Sequence, residues 1–559
     1  MAIQRTNADV AAVFVRLANY LEIAGENPFK TRAYRRAAEV LLDLSEPVAI
    51  VAAENRLDDL PGFGEAIVAK TKDILETGTT PAYEKMRAQI PESVLDFLEL
   101  PGVGVKTVQQ LWEGLGAANL DELEAAARSG RVRALKGMSE KTEARILAAI
   151  EQHRRNRSLI LADEAERTAI RVMTELGARG VADRIELAGQ ARRGCETVSS
   201  LDLVTSARDP AAALEAASAL ACASAIAGRG KAWVRIIIDG RAECTVTACD
   251  AENFGAVLAR RTGSAAHIAR LADRGLDLEG LAARTEDEFY AALGLPFIPP
   301  QLREDRGEIE AAEAGRLPVL VRIEDIRGNL HQHTDASDGR ETLEQMAMAG
   351  KKRGYEYMAI TDHSRSLVIA NGLSVERLRE QMRAVRDMEQ QVGIRLLTGT
   401  EVDILGDGSL DFPDEVLAEL DVVVASVHSR FSQPEAEMTA RIVRAVSNPH
   451  VDILGHPTGR LLGGREPYAV DIDAVVAAAK RSGAALEINA FPDRLDLNEE
   501  NARKASEAGV MVAIGADAHR AEHLDLMRFG VSIAQRAWLG PDKILNARPL
   551  PELIDWLRR

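Results

Sequence analysis

The chain has 559 residues, too many for one hydrophobic core, and predicts three or four domains. An apolar fraction of 46% with 28% charged residues describes a soluble globular protein, and no apolar run approaches the length of a membrane span. The net charge of −17 at first argues against a nucleic-acid partner, but it is spread unevenly: −2 over residues 1–160, −6 over 161–320 and −9 over 321–559. Bound divalent cations would offset part of the last value, so the sign of the whole chain does not decide the partner. The first residues contain no basic stretch followed by an apolar one, and a cytoplasmic location is expected. Cys195, Cys222, Cys244 and Cys249 lack metal-type spacing and read as reduced structural thiols.

Residues 8 to 55 read as amphipathic helices. Within them Phe29 and Tyr34 stand among Lys30, Arg32, Arg35 and Arg36, a pattern that a solvated helix face would also explain. Next come Leu60-Pro61-Gly62-Phe63-Gly64 and Leu100-Pro101-Gly102-Val103-Gly104, with a looser third copy at Leu135-Lys136-Gly137-Met138-Ser139. Paired glycines let the backbone turn tightly and leave amides at a helix start free to hold a phosphate. Their repetition points to a sequence-independent grip on the DNA backbone through Gly62, Gly64, Gly102 and Gly104. These segments resemble helix-hairpin-helix motifs. In family X DNA polymerases the first hairpin belongs to a lyase domain, and that resemblance puts Lys70 at the Schiff-base position, where its amine would attack the aldehyde of an abasic sugar. The residue alone fits a surface lysine equally well.

From residue 160 short strands alternate with Ala-rich helices. The stretch Ala188 to Leu203 resembles the nucleotidyltransferase signature of family X polymerases, which implies phosphate contacts at Gly189 and Arg193 and further nucleotide contacts at Gly263 and Ser264. In that family two aspartates at i and i+2 on one strand bind Mg²⁺. Here Ser200 stands at the first, Asp202 keeps the second, and Gln190 replaces the signature serine. Trp233 to Ile238 and Ala242 to Ala248 read as a hairpin around Asp239-Gly240. Counting back from Asn253-Phe254-Gly255 places Thr245 at the third aspartate, with Glu243 as the nearby substitute. Arg260 and Arg261 stand where the family places aromatics against the nucleotide. A hydroxyl is a poor Mg²⁺ ligand, so this domain is expected to keep its shape with weak or lost polymerase activity, needing Mg²⁺ only if the site works. The resemblance resumes over Leu293 to Glu304 and Arg306 to Glu310, and a linker is read over Ala311 to Val321.

Of the ten histidines, eight follow residue 320. His331 and His333 are one residue apart in an extended segment and so face the same side. They end the first of a series of short apolar runs that read as buried strands, namely Arg327–His333, Tyr357–His363, Val422–His428, Val451–His456 and Val512–His519. Two further runs, Ile394–Asp403 and Ala484–Asn489, end in or carry acids instead. Helix-like segments such as Leu343–Arg353 and Val375–Gln391 separate them, which implies a parallel barrel with its chemistry at the carboxyl ends of the strands. Repeated placement of His, Asp and Glu at those ends points to a shared polynuclear metal site.

This part resembles a polymerase-and-histidinol-phosphatase (PHP) domain, a distorted seven-stranded β/α barrel holding three metals. The resemblance implies one metal on His331, His333, Glu401 and Asp517, a second on Glu401, His428 and His456, and a third on Asp338, His363 and His519. His450 and His523 match no ligand position and read as surface residues. Imidazole with carboxylate suits Zn²⁺, Mn²⁺ or Fe²⁺, and such metals activate water and neutralise charge in phosphoester hydrolysis.

Taken together, the chain resembles bacterial family X DNA polymerases with a C-terminal PHP domain. The expected fold is multidomain: a helical lyase-like domain over 1–82, a second helical hairpin domain over 83–158, an α+β nucleotidyltransferase-like middle over 159–315, and a distorted (β/α)7 barrel over 322–559. The expected function is DNA repair by a monomer acting on gapped, nicked or 3′-blocked DNA. His331, His333, Glu401, His428 and Asp517 would carry hydrolysis as a 3′-5′ exonuclease, in 3′-end processing and in abasic-site incision. The alternatives are an active gap-filling polymerase, with Asp202 catalytic, and a DNA-binding scaffold.

Overall fold

A computed structural model describes residues 5–44, 47–100, 102–157, 159–275 and 277–558. The chain forms two compact units, Met1–Arg157 and Ser158–Arg559.

The first unit is helical. Its opening helix, Asn7–Ile23, starts on a capping box in which Thr6 and Asp9 satisfy each other's backbone amides. Val10, Ala11 and Phe14 on this helix enter a core with Leu41, Val48, Ile67 and Ile74. Leu17, Tyr20 and Ile23, farther along the same helix, enter a second core with Val94, Phe97, Val108 and Leu111. The three glycine-containing turns share one geometry. Gly62, Gly102 and Gly137 have φ of +80°, +73° and +82°. In each copy the fourth residue's amide bonds the first residue's carbonyl at 3.0 Å: Phe63 to Leu60, Val103 to Leu100, and Met138 to Leu135. Gly64 and Gly104 then cap the helices Glu65–Thr77 and Val105–Leu115 without any side-chain hydrogen bond, which leaves helix-start amides for an outside acceptor. Pro101 of the second copy lies outside the described residues.

The second unit begins with a small ribbon, β1 (Ile160–Leu161) against β3 (Thr197–Val198). Around it lies a five-stranded sheet of β2 (Arg184–Ala188), β4 (Leu201–Ser206), β5 (Ala223–Arg229), β6 (Trp233–Ile238) and β7 (Ala242–Cys249), in the order β2-β4-β7-β6-β5. Only β4 and β7 run parallel to each other.

The barrel has seven parallel strands in chain order: β8 (Gly328–Asn329), β9 (Tyr357–Ile360), β10 (Arg395–Asp403), β11 (Val422–Ser426), β12 (Ile453–Leu454), β13 (Ala485–Asn489) and β14 (Val512–Gly515). A parallel bridge between Gln332 and Ala518 brings the first strand's extension to the last, so the sheet is nearly closed. Two of its strands, β8 and β12, are only two residues long. Side chains alternate with period two, and the alternation sorts the core. Leu396, Val423, Leu454, Leu486 and Val512 pack outward against the helices. Leu397, Val424, Ile453, Ala485 and Ala513 fill the interior, together with Leu545 and Leu553 near the C-terminus.

Residues 311–321, read as a linker, are anchored at both ends, while residues 313–316 and Val319 between them are exposed. Ala311 and Ala312 lie in the helix Glu308–Glu313 and are buried, and Val321 is buried with its amide bonded to the Leu539 carbonyl at 2.9 Å. Ion pairs join the middle region to the barrel. Arg536 contacts Glu304 at 2.8 Å and the Arg193 carbonyl at 3.2 Å, while also holding Glu499 at 2.8 Å. Arg460 pairs with Glu196 and Arg528 with Glu166, both at 2.5 Å. No helix among the described residues is long and apolar enough to cross a membrane.

Candidate metal centre

Following the inward-facing positions of each barrel strand toward its carboxyl end, apolar side chains give way to ligating ones. On β10 the sequence passes from Leu397 to Glu401, on β13 from Ala485 to Glu487, and beyond β14 from Ala513 to Asp517. The same period that fills the barrel floor therefore delivers acids to its mouth.

Glu401 is the centre of the arrangement. Its Oε1 lies 3.0 Å from His456 Nε2 and 3.3 Å from His428 Nε2. Its Oε2 lies 2.9 Å from His363 Nδ1, 3.4 Å from His331 Nε2 and 3.6 Å from His333 Nε2. Asp517 Oδ1 stands 3.1 Å from His333 Nε2 and 3.6 Å from His331 Nε2. Toward the opening, Asp338 Oδ2 lies 3.4 Å from His519 Nε2 and 3.5 Å from His363 Nε2. All nine side chains implied by the family pattern thus meet at one end of the barrel. Three overlapping clusters could each hold an ion: His331, His333 and Asp517; His363, Glu401 and His428; and His333, Asp338, His363 and His519.

The residues fit divalent metals. Ligand atoms on a tetrahedron with bonds of about 2.0–2.1 Å stand about 3.4 Å apart, and the spacings around Glu401 and Asp517 straddle that value. His331 Nε2 is buried with no hydrogen-bond partner although it faces two carboxylates, an unmet polar atom at the point where a cation would sit. Burial alone would raise Glu401, yet His428, His363 and His331 hold it well below the ordinary carboxylate range. Asp517 is likewise lowered, against burial, by His331 and His333. Burial, with His519 and His363 close by, pushes His333 down to about 3, which keeps its imidazole neutral and able to donate electrons.

A surrounding shell orients these ligands. His331 Nδ1 lies 2.7 Å from Glu487 Oε1, while Glu487 Oε2 accepts the His456 amide at 2.7 Å. His428 Nδ1 meets Asp403, which also accepts from the Ser366 hydroxyl. Asn489 donates to Asp517 at 3.0 Å. Gly515 makes room for this packing: a Cβ there would lie 1.9 Å from Glu487 Oε1. In the sequence Glu487 and Asp403 are only acids in apolar runs, because the imidazoles they support come from other strands. His523 is half-buried rather than a surface residue, and its Nδ1 accepts the His519 amide at 3.3 Å. Glu487→Gln is expected to weaken metal affinity about 10- to 100-fold, the scale of losing a supporting partner. Titration of apo-protein with Zn²⁺ or Mn²⁺ by calorimetry checks this, and unchanged affinity would show Glu487 to be uninvolved.

The polymerase-like site is different. The parallel register sets Thr245 directly beside Asp202, and Arg235 Nε donates to the Thr245 hydroxyl at 3.3 Å. Asp202 packs on Gly189, whose φ of +61° admits no ordinary side chain and where a Cβ would stand 2.6 Å from Asp202 Oδ2. Burial raises the Asp202 carboxyl despite Arg261, Arg235 and Arg193 nearby. Glu243 is half-exposed, 3.9 Å from Arg235. Among the described residues, no cluster of three ligating groups forms around Asp202. Gln190 accepts from the Ser199 amide and hydroxyl at 2.9 Å. Arg193 is buried against Glu304 and the Thr262 carbonyl, both at 2.8 Å, so its guanidinium is committed within the fold. Gly263 ends the helix Phe254–Thr262, and Ser264 caps the next by accepting the His267 amide. In the helical unit, Lys70 is half-buried with its Nζ 3.3 Å from the Ala66 carbonyl and 5.7 Å from the Tyr34 ring centre.

A nearly closed parallel barrel whose mouth gathers nine His, Asp and Glu side chains able to hold metal ions is the architecture of a PHP domain, and three family models match the chain: a helix-hairpin-helix domain over residues 5–80, a SAM-like helix-hairpin-helix tandem over 94–152 and a PHP domain over 329–491. The DNA polymerase/3′-5′ exonuclease PolX of Bacillus subtilis (strain 168) is 35% identical, with the alignment covering 99% of each chain. Probable phosphatases from Thermoanaerobacter sp. (strain X514) and Shewanella sp. (strain MR-4) are each 32% identical over 39% of this chain and 88% or 87% of their own. The chain belongs to the bacterial family X DNA polymerases that carry a C-terminal PHP domain.

Proposed function

We propose that this protein is a DNA-repair nuclease that hydrolyses phosphodiesters at DNA 3′ ends through its barrel, with polymerase activity weak or lost. The observation that carries this reading is the convergence of nine ligating side chains on Glu401 and its neighbours, within a chain related over nearly its whole length to a polymerase/3′-5′ exonuclease. His331, His333, Glu401 and Asp517 would hold one ion, Glu401, His428 and His456 a second, and Asp338, His363 and His519 a third, as Zn²⁺, Mn²⁺ or Fe²⁺. When bound, such ions supply a water made acidic enough to attack at neutral pH and positive charge opposite the phosphoryl oxygens. The protein's own part is to hold the ligands in register, through Glu487 and Asp403, and to offer Arg494 at the cleft, where its Nε stands 3.6 Å from Asp517 Oδ2. Exposed amides at Gly64 and Gly104 would track the backbone of gapped, nicked or 3′-blocked DNA, as a monomer in the cytoplasm. Asp202 without carboxylate company argues for poor nucleotide addition.

The test uses Mn²⁺ and an end-labelled gapped duplex, with and without dNTPs, comparing wild type, His331→Ala and Asp202→Ala. Shortening from the 3′ end that disappears in His331→Ala is expected. Primer extension that survives His331→Ala and disappears in Asp202→Ala would show gap filling to be the main activity.

A further inference from the structure

The rim of the metal cleft carries an unusual feature. Leu367, Ile369 and Ala370 line it together with Asp338, His363 and Arg494. Ile369 and Ala370 belong to a short turn, Val368–Ala370, which is capped by Leu367 and starts five residues after His363. Ile369 is 95% exposed, and Val368, its neighbour in the chain, is 82% exposed. Single exposed aliphatics are ordinary on protein surfaces, but an adjacent pair beside a site made of charged groups is not accounted for by packing.

The backbone that presents them is held from several sides. Ser366 donates its amide to Asp411 at 2.7 Å, and Arg365 donates to the Asp411 carbonyl at 2.9 Å. Gly372 bonds back to the Leu367 carbonyl at 3.2 Å, closing the turn. Asn371 adopts φ of +54°, its carbonyl accepts from Arg377 at 3.0 Å, and its amide group reaches the Ala336 carbonyl at 3.2 Å. The turn is thus fixed to the segment that carries Asp338 and to the strand end that carries His363, and its two aliphatic side chains project from a braced support.

We propose that Val368 and Ile369 form a wedge that bears on the last base pair of a DNA 3′ end and separates it, so that one unpaired nucleotide enters the cleft. The inference rests on the nuclease reading above and adds how a paired end is opened. Glu401 and Asp517 line the cleft but are only 1% and 5% exposed, within reach of a single strand rather than of a nucleotide still stacked and paired in a duplex. A paired terminal base must therefore leave its stack before its phosphodiester reaches Glu401 and Asp517. Apolar side chains placed against a base step lower the cost of unstacking by covering the exposed base face. The occupant follows from continuity: the same turn that offers Ile369 to solvent lines the site that would cut the chain.

The experiment compares hydrolysis of a fully paired 3′ end with that of an end carrying four unpaired nucleotides, in Mn²⁺, for wild type, a Val368→Ser/Ile369→Ser double variant and a Val368→Ile/Ile369→Leu double variant. The paired-to-unpaired rate ratio is expected to fall about tenfold in the serine variant and to be retained in the aliphatic one. An unchanged ratio in the serine variant overturns the wedge while leaving the nuclease reading intact, as does an equal drop on both ends. A wild-type protein inert on both DNAs overturns the nuclease reading and the wedge with it.

Discussion

Glu401→Gln is expected to lower metal-dependent DNA hydrolysis roughly 10³-fold, the upper end of what removing one charged stabiliser costs. The side chain is 1% exposed, and its two oxygens divide five imidazoles between them: His428 and His456 at Oε1, and His331, His333 and His363 at Oε2. An amide keeps the shape but loses the negative charge, and one of its two ends becomes a donor facing imidazole nitrogens. Bound-metal analysis should show fewer ions per chain alongside lost activity, while far-ultraviolet circular dichroism stays that of wild type. Full activity with a full metal complement would remove Glu401 from the centre of the site.

Arg536→Ala is expected to destabilise the second unit by about 3 kcal/mol, the lower end of what removing one partner of a buried ion pair costs, because Glu304 keeps Arg193 and Glu499 keeps Arg306. The Arg536 side chain is 6% exposed and lies between Glu304, at 15%, and Glu499, at 12%. Burial would raise both carboxyls, but Arg536 holds them below the ordinary glutamate range. A lowered carboxyl stabilises the fold above its unfolded value, about 4.3, and that contribution disappears as pH falls through the folded value. Wild type should therefore lose stability on acidification below about pH 4.3, and Arg536→Ala should show a flatter dependence there. Urea denaturation at pH 7 and at stepped acidic pH measures both. A loss within about 1 kcal/mol would mean that the pair behaves like a surface one.

What could be read from the sequence depended on whether cause and effect were neighbours in the chain. The barrel strands were legible because each apolar run ends in a residue whose chemistry repeats: Tyr357 to His363 becomes β9, and Val422 to His428 becomes β11. The ligand candidates came with them, since alternation fixes which side of a strand a residue faces. The roles of Glu487 and Asp403 were not legible, because a carboxylate behind an imidazole is a contact between strands: His331 and Glu487 are 156 residues apart. The docking of the middle region on the barrel was hidden for the same reason, Arg193 and Arg536 being 343 positions apart. Residues 311–321 look like a linker because alanine, glycine and charge alternate there. In the structure Ala311 and Ala312 are buried in a helix at one end and Val321 enters the barrel core at the other, while residues 313–316 between them are exposed. Val368 and Ile369 carried no signal at all, since exposure is settled only when the rest of the fold has chosen what to cover.

The opening helix Asn7–Ile23 gives one half of its length to each of two hydrophobic cores. The first hairpin module is therefore not a cassette. A gene fusion that moved residues 5–80 to another protein would carry Leu17, Tyr20 and Ile23 without the layer that covers them, and the donor left behind would have a hole where those side chains had been. A transplant that keeps both cores intact would have to carry the whole helical unit, and heat should melt that unit in a single step.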